Sequence, residues 1–248
     1  MKPILICICA LMFFQPEMLH CQIDSENVLQ LDQAQVENDK RGLKFIPIGL
    51  MTVGIILNNT SFENDRQLDL RRNLREGFSS TLDDIFQFTP ISQMYLGDIL
   101  GFQAQNHWFD QTKYLLFSNI LSASLTFSLK RIINKDRPDG GQFAFPSGHT
   151  TAAFTNAGVF YYEFKDHSPF LSLSSFLFAG GTGTLRMLNN RHWLSDVLMG
   201  AGIGLFSVQL IYHLKPFKNF NPFKKKNKVL LIPNISGDEL GFYFRLKL

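Results

Sequence analysis

Three short polar clusters lie between residues 130 and 196: Lys130 with Arg137-Pro138, then Pro146-Ser147-Gly148-His149, then Arg186 with His192 and Asp196. They set three cations, two imidazoles and one carboxylate among apolar segments. Charge is costly in such surroundings, and polar groups kept there commonly do chemistry. The combination suits phosphate handling. Lys offers a point charge, and Arg a planar fork that matches two phosphate oxygens. His192 and Asp196 are four residues apart, within reach of each other on one helical face. A carboxylate on Nδ1–H fixes the imidazole tautomer and leaves Nε2 free to attack.

These residues need elements that bring them together. Apolar positions at helical spacing predict helices over about Thr112 to Ile133, Thr150 to Phe164, Ser168 to Leu188 and Leu194 to Leu214. Two shorter helices, separated by Pro90, are expected between Phe78 and Phe102. Pro138 drives the residue before it out of helical geometry. The chain therefore leaves its helix after Lys130 and can aim Lys130 and Arg137 at one point. Pro-Ser-Gly-His directly precedes an apolar helix, whose N-terminus presents free N–H groups and partial positive charge to an anion. There Ser147 can cap the helix, Gly148 lets the backbone approach a ligand, and His149 can give a proton to a departing oxygen. If the helices alternate in direction, the ends of 112–133 and 168–188 and the starts of 150–164 and 194–214 meet on one side. All three clusters then form one site.

The rest of the chain bounds the setting. Its 248 residues suit one domain, and a formal net charge of +3 is too small to argue for a nucleic-acid partner. Lys2 followed by the apolar run Ile4 to Phe14 reads as a secretory signal over residues 1–21. All three cysteines, Cys7, Cys9 and Cys21, lie in it, so a mature chain cut after Cys21 has no disulfide, thiol nucleophile or Cys-ligated zinc. Residues 22–42 are polar. Leu43 to Leu57 is apolar, and the charged stretch Asn58 to Glu76 reads as a solvated helix face. Gly180-Gly181, Gly200, Gly202 and Gly204 allow close helix approach, as in membrane bundles. Residues 215–228 hold six lysines with Phe217, Phe220 and Phe223, a composition suited to a membrane surface. Val229 to Ile235 and Gly241 to Leu248 read as two strands around Ser236-Gly237-Asp238. The expected fold is all-α, a membrane-associated bundle of about five to six helices over residues 43–214 with a short C-terminal hairpin-like tail. No obligate protein partner is evident.

The order Lys, six residues, Arg-Pro; then Pro-Ser-Gly-His; then Arg, five residues, His, three residues, Asp resembles the type-2 phosphatidic acid phosphatase superfamily. That superfamily also includes bacterial class A acid phosphatases and vanadium haloperoxidases. The resemblance implies that Lys130, Arg137 and Arg186 bind phosphate oxygens, with Ser147 and the Gly148 N–H as further donors. It implies that His192 attacks phosphorus to form a phosphohistidine, that Asp196 orients it, and that His149 protonates the leaving alcohol. No metal or other cofactor is implied. The substrate class it implies is a lipid phosphate or prenyl diphosphate at a membrane of the bacterial cell envelope, with the site facing the periplasm. A soluble periplasmic acid phosphatase and, further off, a vanadium haloperoxidase are the alternatives. Leu185 departs from the family pattern, which has Ser or Thr before the third-cluster arginine.

Overall fold

A computed structural model of the chain describes residues 45–75 and 77–214 in full, and 229–236 and 239–246 by their backbone. The expected signal 1–21, the polar segment 22–42 and the basic linker 215–228 lie outside the described residues. Among the described residues there are eight helices: α1 Phe45–Leu57, α2 Ser61–Arg72, α3 Leu82–Phe86, α4 Thr89–Ile99, α5 Trp108–Ile133, α6 Gly148–Phe164, α7 Pro169–Leu188 and α8 Leu194–His213. The last four begin and end close to the expected positions. Pro90 does not separate α3 from α4. The chain breaks just before Thr89, and Pro90 falls in the first turn of α4, where its missing N–H has no intrahelical acceptor to lose. The tail is an antiparallel pair, β1 Val229–Ser236 with β2 Glu239–Leu246, in a register that sets Ser236 opposite Glu239.

Helix α6 is central and packs against α5, α7 and α8. Its apolar residues Val159, Phe160 and Phe164 join Met94, Tyr114 and Val208 in the main core, and Phe145, Met199 and Ile203 form a second cluster. The pattern is partly inside out. Ser118, Ser122 and Thr126 of α5 face Thr151 and Thr155 of α6 in the interior, where Thr126 Oγ1 donates to Thr151 Oγ1 at 3.2 Å and Thr155 Oγ1 to Ser122 Oγ at 3.0 Å. Large apolar residues lie outside: Ile55 and Ile56 on α1, Ile120 and Phe127 on α5, and Phe170 and Leu177 on α7, the last two 89% and 77% exposed. Small and hydroxylated residues between helices, with apolar residues outside, are the arrangement lipid favours. Helix α8 is long and apolar enough to cross a membrane, and α1 with α2 qualifies only as a pair bent by 92°. The 11 residues of α4 span about 17 Å, well short of a bilayer core of about 30 Å.

The charged stretch 58–76 is not a solvated face throughout. Glu63 and Gln67 of α2 are buried, at 1% and 4% exposure. The chain turns at Asn59, in the left-handed region at φ 60°, and Thr60 then caps α2. Helix α2 is docked on the C-terminus of α7. Gln67 Nε2 donates to the Met187 carbonyl at 3.0 Å and to Asn190 Oδ1 at 2.8 Å, and an Arg71 guanidinium N–H donates to the Leu188 carbonyl at 2.8 Å. Cations and amides suit these end carbonyls, which carry partial negative charge and have no acceptor role left within the helix.

Helix α8 meets the start of α6 at glycine. A Cβ on Gly200 would lie 2.6 Å from the Ser147 carbonyl oxygen and 3.1 Å from Thr151 Oγ1. The first is well inside contact distance with fixed backbone. Gly200→Ala is expected to lower stability by about 1–3 kcal/mol, an overpacking cost measurable as a fall in Tm. A wild-type Tm would show that α8 can shift away without penalty.

Candidate active site

The three clusters converge at one end of the bundle. Helix α5 ends at Ile133, and Asn134 closes it in the left-handed conformation at φ 43°, which Asn tolerates well. The loop from Asn134 to Pro146 is then fastened to the start of α8. Trp193 Nε1 donates to the Asp136 carbonyl at 2.8 Å, Arg191 pairs with Asp139 at 2.9 Å, and the Ser147 N–H donates to the Asp196 carbonyl at 2.9 Å. These ties join the first and second clusters to the third. Ser147 caps α6 and is fully buried, accepting from Thr150 Oγ1 at 2.9 Å. A Cβ on Gly148 would lie 3.9 Å from Lys130 Cε, so the first cation sits beside the Ser-Gly-His turn. Lys130 Nζ itself donates to the carbonyls of Phe143 and Ala144.

The third cluster is ordered from both sides. His192 is 2% exposed, and its Nδ1 lies 3.3 Å from Asp196 Oδ2, which also accepts the Trp193 N–H at 2.9 Å. Among the described residues, His192 Nε2 has no hydrogen-bond partner. Burial is the main cause that lowers the His192 pKa to about 4; Lys130 and Arg186 add to it, and Asp196 opposes it. The imidazole is therefore neutral through the physiological range, with Nδ1–H directed at the carboxylate and Nε2 carrying a lone pair.

Arg186 donates to Asp83 Oδ2 at 2.8 Å, and Asp83 also accepts from Asn189 Nδ2 at 3.3 Å. The Nε groups of Arg186 and Arg137 are buried and have no partner among the described residues. Unpaired buried donors are expensive, and the oxygens of an anion held between Lys130, Arg137 and Arg186 would satisfy them. His149 Nε2 lies 2.9 Å from Asp84 Oδ1; burial is the main cause that lowers the His149 pKa, Arg186 adds to it, and the Asp84 contact opposes it. Leu185 is half-buried beside Arg186 and offers no hydroxyl there.

Every residue expected from the sequence thus lies at this end of the bundle. Four acid or base partners were not expected: Asp83, Asp84, Glu63 and Lys135. Asp83 and Asp84 stand in the five-residue α3, between the apolar residues Leu82 and Ile85. Lys135 lies between two motif residues, and its burial beside Asp196 was the one sign that could have marked it, visible only after folding. Asp83, Asp84 and His149 offer ligand atoms within 4.8 Å of one another. The Arg186 guanidinium on Asp83 already supplies the positive charge that a cation would bring there.

The helical bundle thus gathers two histidines, carboxylates and three cations at one end, a set of groups whose charge and geometry suit an anion. Residues 111–220 match the family model of the PAP2 superfamily. The lipid A 1-phosphatase of Porphyromonas gingivalis is 31% identical over 154 residues, covering 60% of this chain and 34% of the relative. The chain thus spans about a third of the length of that curated relative. The crystal structure of a transmembrane PAP2-type phosphatidylglycerolphosphate phosphatase from Bacillus subtilis aligns with a TM-score of 0.50 at 20% identity, over 73% of this chain and 100% of that one. It shares the fold. The LpxE structure from Aquifex aeolicus aligns with a TM-score of 0.47 at 22% identity, over 62% of this chain and 96% of that one.

Proposed function

We propose that this protein hydrolyses a lipid-linked phosphate monoester or diphosphate at a membrane through a phosphohistidine. The observation that carries this reading is the buried His192, with Nδ1 3.3 Å from Asp196 Oδ2 and the charges of Lys130 and Arg186 acting on it. His192 Nε2 attacks phosphorus while the bond from phosphorus to the ester oxygen breaks, and His149 gives its proton to that oxygen. Lys130, Arg137 and Arg186, with the Ser147 hydroxyl and the first free N–H groups of α6, stabilise the charge on the equatorial oxygens. Neutral His149 then takes a proton from water, whose oxygen attacks phosphorus as the P–N bond breaks, releasing inorganic phosphate and restoring both imidazoles.

The apolar outer faces of α1, α5 and α7 support placement in lipid. Helix α8 starts beside the site, and the lysines of 215–228 follow its end. By the positive-inside rule those lysines lie in the cytoplasm, so the site faces the periplasm. The 1-phosphate of lipid A is the first member of the substrate class to try, on the identity to the Porphyromonas enzyme. The test is a phosphate-release panel run on the full chain in detergent, with and without EDTA. It would compare lipid A phosphates, phosphatidate, phosphatidylglycerophosphate and undecaprenyl diphosphate with soluble esters. Turnover of lipid phosphates that persists in EDTA is expected. Turnover of soluble esters alone, or loss in EDTA restored by Mg²⁺, would overturn the reading.

The pH dependence follows from the same geometry. Protonated His192 has no lone pair on Nε2, so rate is lost as pH falls through its pKa. That limb of kcat/KM is expected near pH 4, once the profile is corrected for the substrate's own second phosphate ionisation near about 6.

A further inference from the structure

Asp196 does not act alone on His192. Its second oxygen, Oδ1, accepts from Lys135 Nζ at 3.2 Å and from Ser195 Oγ at 3.4 Å. Lys135 is 7% exposed, and its Nζ also donates to Glu63 Oε2 at 2.8 Å and to Ser195 Oγ at 2.8 Å. Glu63 in turn accepts the Ser195 N–H on Oε1 at 2.9 Å and the Asn59 N–H on Oε2 at 3.1 Å. The Lys135 ammonium rests 5.5 Å from the Trp193 ring centroid and 5.9 Å from that of Phe145. One cation is therefore shared between two buried carboxylates, of which one faces the histidine. Neither Lys135 nor Glu63 belongs to the three clusters, and neither lies among the groups that face phosphate.

We propose that Lys135 and Glu63 are positioning residues for the nucleophile: Lys135 holds Asp196 in place and draws off part of its charge, and Glu63 limits how much it draws. The reading rests on His192 as the nucleophile. A carboxylate that grips the imidazole too strongly favours imidazolium, which cannot attack. One neutralised by an ammonium on its far oxygen grips too weakly to fix the tautomer. Lys135 alone would neutralise Asp196. Glu63, the nearer partner at 2.8 Å against 3.2 Å, keeps the ammonium between the two carboxylates. Buried ionic groups of this kind contribute little net stability compared with apolar packing, so a role in setting the charge on Asp196 accounts for their presence at this position. Helix α2 supplies Glu63 through its docking on α7, which gives that helix a part in the site although it carries none of the phosphate ligands.

The other charges that act on His192 are Lys130 from α5 and Arg186 from α7. They are unchanged in the variants that test the proposal. Lys135→Met removes the cation from Asp196, so the His192 titration and the acid limb of kcat/KM move to higher pH. Glu63→Gln leaves Lys135 uncompensated, so both move to lower pH. Each shift is expected to be roughly one pH unit, with kcat reduced about tenfold or more and KM close to wild type, since neither residue touches phosphate. The titration is read on the ring by NMR of histidine-labelled protein in detergent, with the His192 signal assigned by its absence from His192→Ala. Lys135→Arg, which keeps the charge, is expected to recover part of kcat. Should a single variant fail to fold, Lys135→Met/Glu63→Leu replaces the pair by apolar side chains and carries the same expectation of reduced kcat and a raised titration. Shifts of the same sign in both single variants, or wild-type titration and kcat in the double variant, would overturn the proposal. An active His192→Ala would instead overturn the nucleophile assignment, which separates the two failures.

Discussion

Replacing His192 by alanine is expected to abolish phosphate release, with kcat lowered by at least about 10⁴-fold. No other described group can take over. His149 is engaged with Asp84 and is the proposed acid, and Ser147 Oγ is held as the α6 cap by Thr150 with no base beside it among the described residues. The cations remain in the variant, so substrate phosphate still binds and KM changes little. Loss of kcat with retained binding is the signature of an interaction made only during the reaction. A second readout is independent of turnover. Enzyme quenched in base after mixing with labelled substrate retains phosphate on wild type and none on the variant, because phosphohistidine survives base. Turnover within tenfold of wild type would remove His192 from the mechanism.

Asp196→Asn is expected to lower kcat by about 10³–10⁴-fold while leaving a folded protein. All the groups facing this side chain donate: His192 Nδ1 and the Trp193 N–H on one oxygen, Lys135 Nζ and Ser195 Oγ on the other. An amide must turn its NH₂ toward one of these sets, so donor meets donor whichever way it points. If it turns toward His192, the imidazole is pushed to the other tautomer, with the proton on Nε2, and the attacking lone pair is lost. If it turns toward Lys135, the ammonium keeps only Glu63 and Ser195. The unpaired buried donors are expected to cost about 1–3 kcal/mol of stability, visible as a lower Tm in thermal unfolding. A kcat near wild type would show that orientation of His192 by Asp196 is dispensable.

The convergence of the three clusters could be read in the sequence because they lie at helix ends. Arg-Pro after Lys130, Ser-Gly-His before α6, and Asn189-Asn190 between α7 and α8 are local signals whose meaning holds within one turn. Alternating helix direction then brought the three clusters to one side. The same local reasoning failed for Glu63. Its neighbours Asp65, Arg66 and Asp69 made α2 look like a solvated helix, and nothing within four residues says that one carboxylate turns inward. It failed in a smaller way at Pro90, which begins α4 although it was expected to divide two helices. The apolar exterior was legible only in outline. The apolar residues of α5 and α7 were visible as helical stripes, but which stripe faces outward depends on the hydroxyl-lined contact with α6.

By itself, then, the sequence marked the candidate reacting groups, the helix ends that carry them and the superfamily they resemble, because spacing along a helix fixes direction and reach over a few residues. Only the tertiary structure decided which charge neutralises which. Lys135 meets Glu63 across 72 residues of sequence, Arg186 meets Asp83 across 103, and His149 meets Asp84 across 65. Such pairings arise from how α2 and α3 dock on the ends of α7 and α6. A buried ion needs its partner in the same low-dielectric interior, and no local pattern along the chain records where that partner will come from.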